Sequence, residues 1–166
     1  MARFNNPGIQ GVKGDPGAVG GFGASASYWS TVDQTGTINS IQAMTVNNTD
    51  WETGVLLQNG SQLHMTSAGK YNIAFSAQFH QTNSSSIVNI WLAKGGTAIP
   101  DTNTKVSITA NNPYVVAAWN FFVNAAEGDH YEIMWSATSA NAVIEYEPSG
   151  VHPAIPSVIV TVNQVG

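Results

Sequence analysis

The residues that could do chemistry are few, and their spacing organises no reaction. Asp129-His130 with Ser136 contains the three groups of an acyl-transfer triad. A triad needs an imidazole oriented by a carboxylate and within reach of an activated hydroxyl, whereas Asp129 reads as a turn residue beside Gly128. The four histidines, His64, His80, His130 and His152, share no metal-ligand spacing. Asp50 with Glu52, and Glu145 with Glu147, are the acidic pairs a calcium ion would use. A hard cation takes six or more oxygens, and no Asx-rich loop surrounds either pair. The glycine-rich stretch near the start lacks the Gly-Lys-Ser/Thr of a phosphate loop. There is no cysteine, hence no thiol chemistry and no disulfide framework. Asn47, Asn59 and Asn83 fit the glycosylation triplet, as chance allows in a chain rich in Asn and Ser. The expectation is a non-enzymatic protein with no catalytic residue, no metal site and no cofactor.

Three tryptophans remain, Trp29, Trp51 and Trp91. Trp91 falls opposite Val88, Ile90 and Leu92 in an alternating stretch, so it is the candidate ligand contact. An exposed indole anchors a sugar or a protein partner well. The competing reading is packing beneath a neighbouring loop.

Composition narrows the partners. The chain has 166 residues, of which 43% are hydrophobic and only 9% charged, against about a quarter charged in ordinary domains. Asn, Ser, Thr and Gln carry the polar surface instead. Net charge is −5 with no basic cluster, which disfavours nucleic acid. The longest apolar run, 114–126, is interrupted by Asn120 and Asn124 and falls short of the ~20 residues of a membrane helix. The opening Met-Ala-Arg-Phe-Asn-Asn-Pro lacks the apolar stretch of a secretory signal.

The elements that must position any site begin with a repeat. Glycine occupies positions 8, 11, 14, 17, 20 and 23 without a miss, and Pro16 fills the third slot of its triplet. A period of three is the collagen signature, because only glycine fits at the axis of three wound chains. Gly8, Gly11, Gly14, Gly17, Gly20 and Gly23 therefore define a stalk over 8–23, roughly 50 Å long at the polyproline II rise. So few triplets need a trimeric partner domain to raise the local strand concentration. Residues 1–7 form a short arm in which Arg3 and Phe4 are the candidate anchors.

From residue 24 to 166 the pattern is strand. The clearest run is 70–80, where Tyr71, Ile73, Phe75, Ala77 and Phe79 alternate with Asn72, Ala74, Ser76 and Gln78. Further strands are expected at 28–32, 41–46, 55–58, 62–66, 87–93, 105–109, 115–124, 131–137, 142–146 and 157–162. Glu127-Gly128-Asp129 reads as a hairpin turn between two of them. About ten short strands with turn signals every 8–12 residues predict a β-sandwich or jelly roll. Two strands are apolar on both faces: 115–124 carries Val116, Ala118 and Phe122 opposite its core side, and 157–162 carries Ile159. Such strands are covered on both faces, and in a trimer the second cover is the neighbouring protomer.

These residues resemble the trimeric jelly-roll heads of the complement C1q and tumour-necrosis-factor superfamily. The resemblance covers most of 25–166. It rests on the run from Gly60 through Gly69-Lys70-Tyr71-Asn72-Ile73 to Ser76, on Lys94-Gly95-Gly96, on Gly128-Asp129 after the long strand, and on the buried closing strand Val158-Ile159-Val160-Thr161-Val162. A collagen stalk directly before the head is also that family's order. The resemblance implies an all-β jelly-roll sandwich, a homotrimer, and a set of residues approaching the threefold axis: Asn72, Ala74, Ser76, Ala118, Asn120, Phe122, Ile159 and Thr161. Tyr71, Ile73, Phe75, Trp119, Phe121, Val158 and Val160 are then left for the core. The chain as a whole is similar to collagen-like trimeric proteins of tailed-phage virions. That likeness implies a structural virion protein, made in the host cytoplasm and displayed on the particle surface as a capsid decoration or head fibre. Its partners would be itself and a major capsid or other virion protein held by the arm, with no nucleic acid and no membrane insertion. The alternatives are a tail-fibre or receptor-binding tip recognising a host surface glycan or protein, and a secreted C1q/TNF-like ligand, against which the missing secretory signal argues.

Overall fold

The computed structural model describes residues 23–81, 85–110 and 113–166. The arm, and with it Arg3 and Phe4, and the triplets up to residue 22 lie outside the described residues, as does Asn83. In chain order the strands are β1 (Ser25–Trp29), β2 (Gln34–Thr35), β3 (Gln42–Ala43), β4 (Asn48–Thr53), β5 (Val55–Gln58), β6 (Gln62–Met65), β7 (Gly69–Gln81), β8 (Ser86–Lys94), β9 (Thr97–Ala98), β10 (Thr104–Ile108), β11 (Tyr114–Ala125), β12 (His130–Ala137), β13 (Ala142–Ile144) and β14 (Val158–Gln164). There is no helix among the described residues.

The strands form two antiparallel sheets. In the first, β7 is the central strand. One of its edges is covered by β11 along its length, and the other is shared by β14 and, beyond it, β13. The sheet continues from β14 to β1 and β4, and from β13 to β2. The second runs β10, β8, β12, β6, β5, with β3 beside β12 and β9 beside β8. The chain passes between sheets on either side of β3, at β4 to β5, on either side of β7, at β10 to β11, and on either side of β12, which makes the sandwich a jelly roll.

Alternation explains the core. Every second side chain of β7 from Tyr71 to Gln81 is buried, and every one between is part-exposed. The same period runs through β12 and β14. Facing inward between the sheets, Trp135, Tyr28, Tyr71, Tyr131 and Phe79 are fully buried, and each large apolar side chain so placed stabilises the fold by ~1.5–3 kcal/mol. Tyr71, Ile73, Phe75, Phe121, Val158 and Val160 are in the core as expected, while Trp119 is only half-buried against it.

Three expectations are corrected. Glu127-Gly128-Asp129 is a tight turn, with Gly128 at φ +84°, but it is not a hairpin. It joins β11 in one sheet to β12 in the other, because Met65 takes up the turn instead, through Met65 N to Asp129 O and Gly128 N to Met65 O. The strand expected at 28–32 is β1, earlier by three residues at each end, since Ser30 already turns to bond Ser157 and Val158. The strand expected at 41–46 shrinks to β3, because Met44 and Val46 are buried individually and tied to Ile133 and Gly60.

The head is clamped at the end where the chain enters. Gln164 N donates to Ala24 O at 2.7 Å and its side chain accepts from Ala24 N at 3.1 Å. Val165 and Gly166 continue beside Lys70. Gly54 is required here: its φ is +69°, and a Cβ would stand 2.6 Å from that of Ala24.

Candidate functional site

All eight residues that the resemblance assigned to the axis fall on one face of one sheet, the side of β11, β7 and β14 away from the core. The register sets them in rows. Ala118 faces Ser76, which faces Ile159; Asn120 faces Ala74, which faces Thr161; Phe122 faces Asn72, which faces Asn163. Cross-strand neighbours so paired share a face. Tyr114 and Val116 extend the first strand's contribution beside His80 and Gln78.

The face is apolar or amide-bearing, and nearly uncharged. Phe122 is 70% exposed, Tyr114 59% and Val116 57%. Lys70, at the clamped end, is the only Lys, Arg, Asp or Glu that β11, β7 and β14 place on this side. At the other end Tyr114 stacks on His80, ring centroids 4.3 Å apart, and His80 Nδ1 lies 3.0 Å from Glu145 Oε1. Beyond β14, Asp50 accepts from Ser27 Oγ at 2.8 Å and from Trp29 Nε1 at 3.1 Å. Phe122, Val116, Tyr114 and Ile159 are thus exposed apolar groups set among amides and hydroxyls on one face, which makes it a candidate interaction surface.

Trp91 lies on the outer side of the opposite sheet, half-buried, facing away from Val88, Ile90 and Leu92 as expected. It lines a hollow of about 460 Å³ together with Asn39, Ile41, Asn89, Pro100, Asp101, Asn103 and Ser136 among others. There the indole shares the lining with the loop 98–103.

The remaining chemical candidates are separated. Asp129 Oδ2 accepts from Lys94 Nζ at 2.6 Å and from Ala126 N at 2.7 Å. The Lys94 hydrogen bond, then the backbone amide, hold its carboxyl below the usual carboxylate range. His130 stacks on His64 at 4.8 Å, and burial, then the neighbouring His130, lower the His64 imidazole. Ser136 is six residues further along β12 from His130, about 20 Å away at the strand rise. Asp50 is engaged as above, and Glu52 Oε2 accepts from Tyr28 Oη and Leu57 N. No cluster of three His, Asp or Glu groups converges among the described residues.

Sequence reasoning missed the partners of Trp91. Asn39 and Ile41 are some 50 residues away in sequence, roughly 170 Å of extended chain, and only the pairing of β3 with β12 brings them alongside. The signal that could have found Asp101 is its place after Ile99-Pro100, between two strands with no other turn glycine.

This arrangement of sheets is a TNF-like jelly roll. The head is similar to the crystal structure of murine APRIL at pH 5.0, with a TM-score of 0.58 at 11% identity over 86% of this chain and 99% of that one. It is likewise similar to Eiger TNF from S. frugiperda, with a TM-score of 0.57 at 8% identity over 87% and 94%. At such identities the shared property is the all-β jelly-roll fold. No protein-family model and no curated protein matches the sequence.

Proposed function

We propose that the chain is a non-enzymatic virion protein: a homotrimer whose jelly-roll heads decorate the capsid surface, each carried on a Gly-X-Y stalk and anchored by the arm 1–7. The observation that carries the reading is the nearly uncharged outer face of β11, β7 and β14, centred on Phe122. Three copies packed through that face place it on the axis that a period-three glycine stalk also demands. The arm then needs only a small contact with a capsid or other virion protein. Phe4 fills an apolar pocket, Arg3 meets an acidic rim, and three arms on one axis multiply a weak contact by avidity.

The test is deletion of residues 2–7. The shortened protein should remain a soluble trimer and fail to appear on particles imaged by cryo-electron microscopy, while particles lacking it still assemble and infect. One observation favours a second reading, a receptor-binding tip: the Trp91 hollow opens on the sheet opposite the proposed interface. Tail localisation, with free heads competing against infection, would decide for that reading. The secreted-ligand alternative has the fold alone on its side.

A further inference from the structure

The hollow around Trp91 is built like a recognition site, and its two walls are fixed to the sheet beneath. Neighbouring strands supply the floor: β8 brings Asn89 and Trp91, and β12 sets Ser136 directly opposite Asn89. One wall is the loop 98–103. Thr102 fastens it, donating from Oγ1 to Ile99 O at 2.8 Å and accepting from Leu92 N at 3.1 Å, while Ile99 N donates to Leu92 O at 2.9 Å. The other wall is held by Asn39 N donating to Ala137 O at 2.8 Å. Two of the three non-glycine residues with positive φ among the described residues stand on these walls, Asn39 at 56° and Asp101 at 62°. A fixed hollow spends less of its binding energy on ordering loops, and about 460 Å³ is within the ~300–1,000 Å³ of small-ligand sites.

The lining chemistry selects the ligand. Trp91 offers an indole, with Ile41 and Pro100 extending the apolar surface. Around them, hydrogen-bonding capacity is unspent. Asn103 Nδ2 donates to Asn89 Oδ1 at 3.3 Å, which orients both amides and leaves Asn89 Nδ2 and Asn103 Oδ1 free. The side chains of Asn39, Asp101 and Ser136 make no hydrogen bond or ion pair within the described residues. Asp101 is the only charged residue in the lining, and no Lys or Arg lines it, so anions find no counter-charge. An apolar plate beside planar amides, a hydroxyl and one carboxylate matches a pyranose ring. The ring's C–H face lies on an aromatic surface, and its vicinal hydroxyls both donate and accept.

We infer that this hollow binds a neutral saccharide, stacked on Trp91 and hydrogen-bonded by Asn89, Asp101, Asn103 and Ser136. The inference needs neither the trimer nor the virion reading, because the hollow belongs to one protomer and Trp91, Asn89 and Ser136 lie on the other sheet; its wall at Ile99 and Asp101 also borders a second hollow shared with Asn120 and Phe122. Saturation-transfer NMR on the full-length free protein tests it. The probes are glucose, galactose, mannose, N-acetylglucosamine and N-acetylgalactosamine and their short oligomers, with sialyllactose and glucuronate as acidic controls, each at about 10 mM, the scale on which one stack and a few hydrogen bonds bind. At least one neutral sugar should give a signal that Trp91→Ala abolishes and Asn103→Ala weakens about fivefold, the loss of one such bond. Trp51→Ala, an exposed tryptophan on the other sheet, should leave it unchanged. Should Trp91→Ala fail to fold, Ile41→Asp at the exposed rim serves in its place and should weaken the same signal. A silent panel, binding restricted to sialylated or uronate-bearing glycans, or a signal that follows Trp51 instead of Trp91 overturns the inference. None of these outcomes bears on attachment to particles.

Discussion

Asn120 donates its amide to Asn72 across the β11–β7 ladder, Nδ2 to Oδ1 at 2.8 Å. The pair is diagonal, since Asn120 stands opposite Ala74 and Phe122 opposite Asn72. Each amide therefore spends part of its bonding on the other, within a face carrying no acidic group on those strands. That bond lowers the cost of covering the pair and leaves Asn72 Nδ2 and Asn120 Oδ1 for a partner across an interface. Phe122, opposite Asn72, is the most exposed large apolar group on this face.

If the proposed homotrimer is right, Phe122→Asp takes the full-length protein from three copies to one at micromolar concentration, as read by multi-angle light scattering. Three carboxylates on a shared axis would be buried without partners, at several kcal/mol each. An unchanged trimer mass would show that this face is not the interface.

Tyr28 is fully buried, and its hydroxyl lies 3.0 Å from both Glu52 Oε2 and Val55 O. Tyr28→Phe removes that donor while Glu52 Oε2 keeps Leu57 N, and should cost about 0.5–1.5 kcal/mol, seen as a fall in Tm of about 2–8 °C per kcal/mol. Burial, then the Glu52 carboxylate, also push the phenol above its ordinary value of 10.0. The folded state therefore holds this proton more tightly than the unfolded one, and stability declines as pH rises above about 10. Tyr131, raised by burial, acts in the same direction, so Tyr28→Phe should reduce the alkaline loss and leave a remainder.

On the acid side, burial and His130 hold the His64 imidazole below its ordinary 6.5. The unfolded chain binds that proton first, so stability is full above about pH 6.5 and declines as pH falls below it. Asp129, held below its ordinary 3.8 by Lys94 and Ala126 N, adds a second decline as pH falls from that value. Thermal melts taken from pH 7 to below pH 4 should show His64→Gln losing the first decline and keeping the second. Asp129→Asn should do the reverse.

Gly54→Ala should lower Tm through two effects at one residue, the left-handed φ of +69° and a Cβ contact of 2.6 Å with Ala24. The backbone part alone is worth about 1–3 kcal/mol. Differential scanning calorimetry checks it, and an unchanged Tm would mean that the chain entry at Ala24 is free to move aside.

What could be read from the sequence was set by side-chain alternation. β7, β8 and β12 show a period of two in their own residues, while β11 and β14 are apolar on both faces, the second face of β11 being visible as Val116, Ala118 and Phe122. β4 was not visible: Asn48-Thr-Asp-Trp-Glu-Thr53 shows no buried position apart from a half-buried first residue, and it is a strand only because β1 offers it a ladder. The hairpin expected at Gly128 failed for a related reason. A tight turn fixes the reversal of the chain locally, while the choice of sheet depends on distant Met65. The Trp91 hollow needs three segments far apart in sequence, so only the indole at its centre could be singled out beforehand.

The clamp between Gln164 and Ala24 also determines where a cargo could be displayed. Residue 166 emerges beside the entry point of the chain, so a fluorescent or enzymatic passenger fused there would crowd the base of the head. The loop 147–155 suits grafting better. It is closed by reciprocal backbone bonds between Glu147 and Ile155, and its Val151 is 97% exposed. It departs near Gln78, about 30 Å along β7 from the clamped end. A peptide epitope inserted after Gly150 would stand clear of the base, on a loop whose closure does not depend on the inserted length.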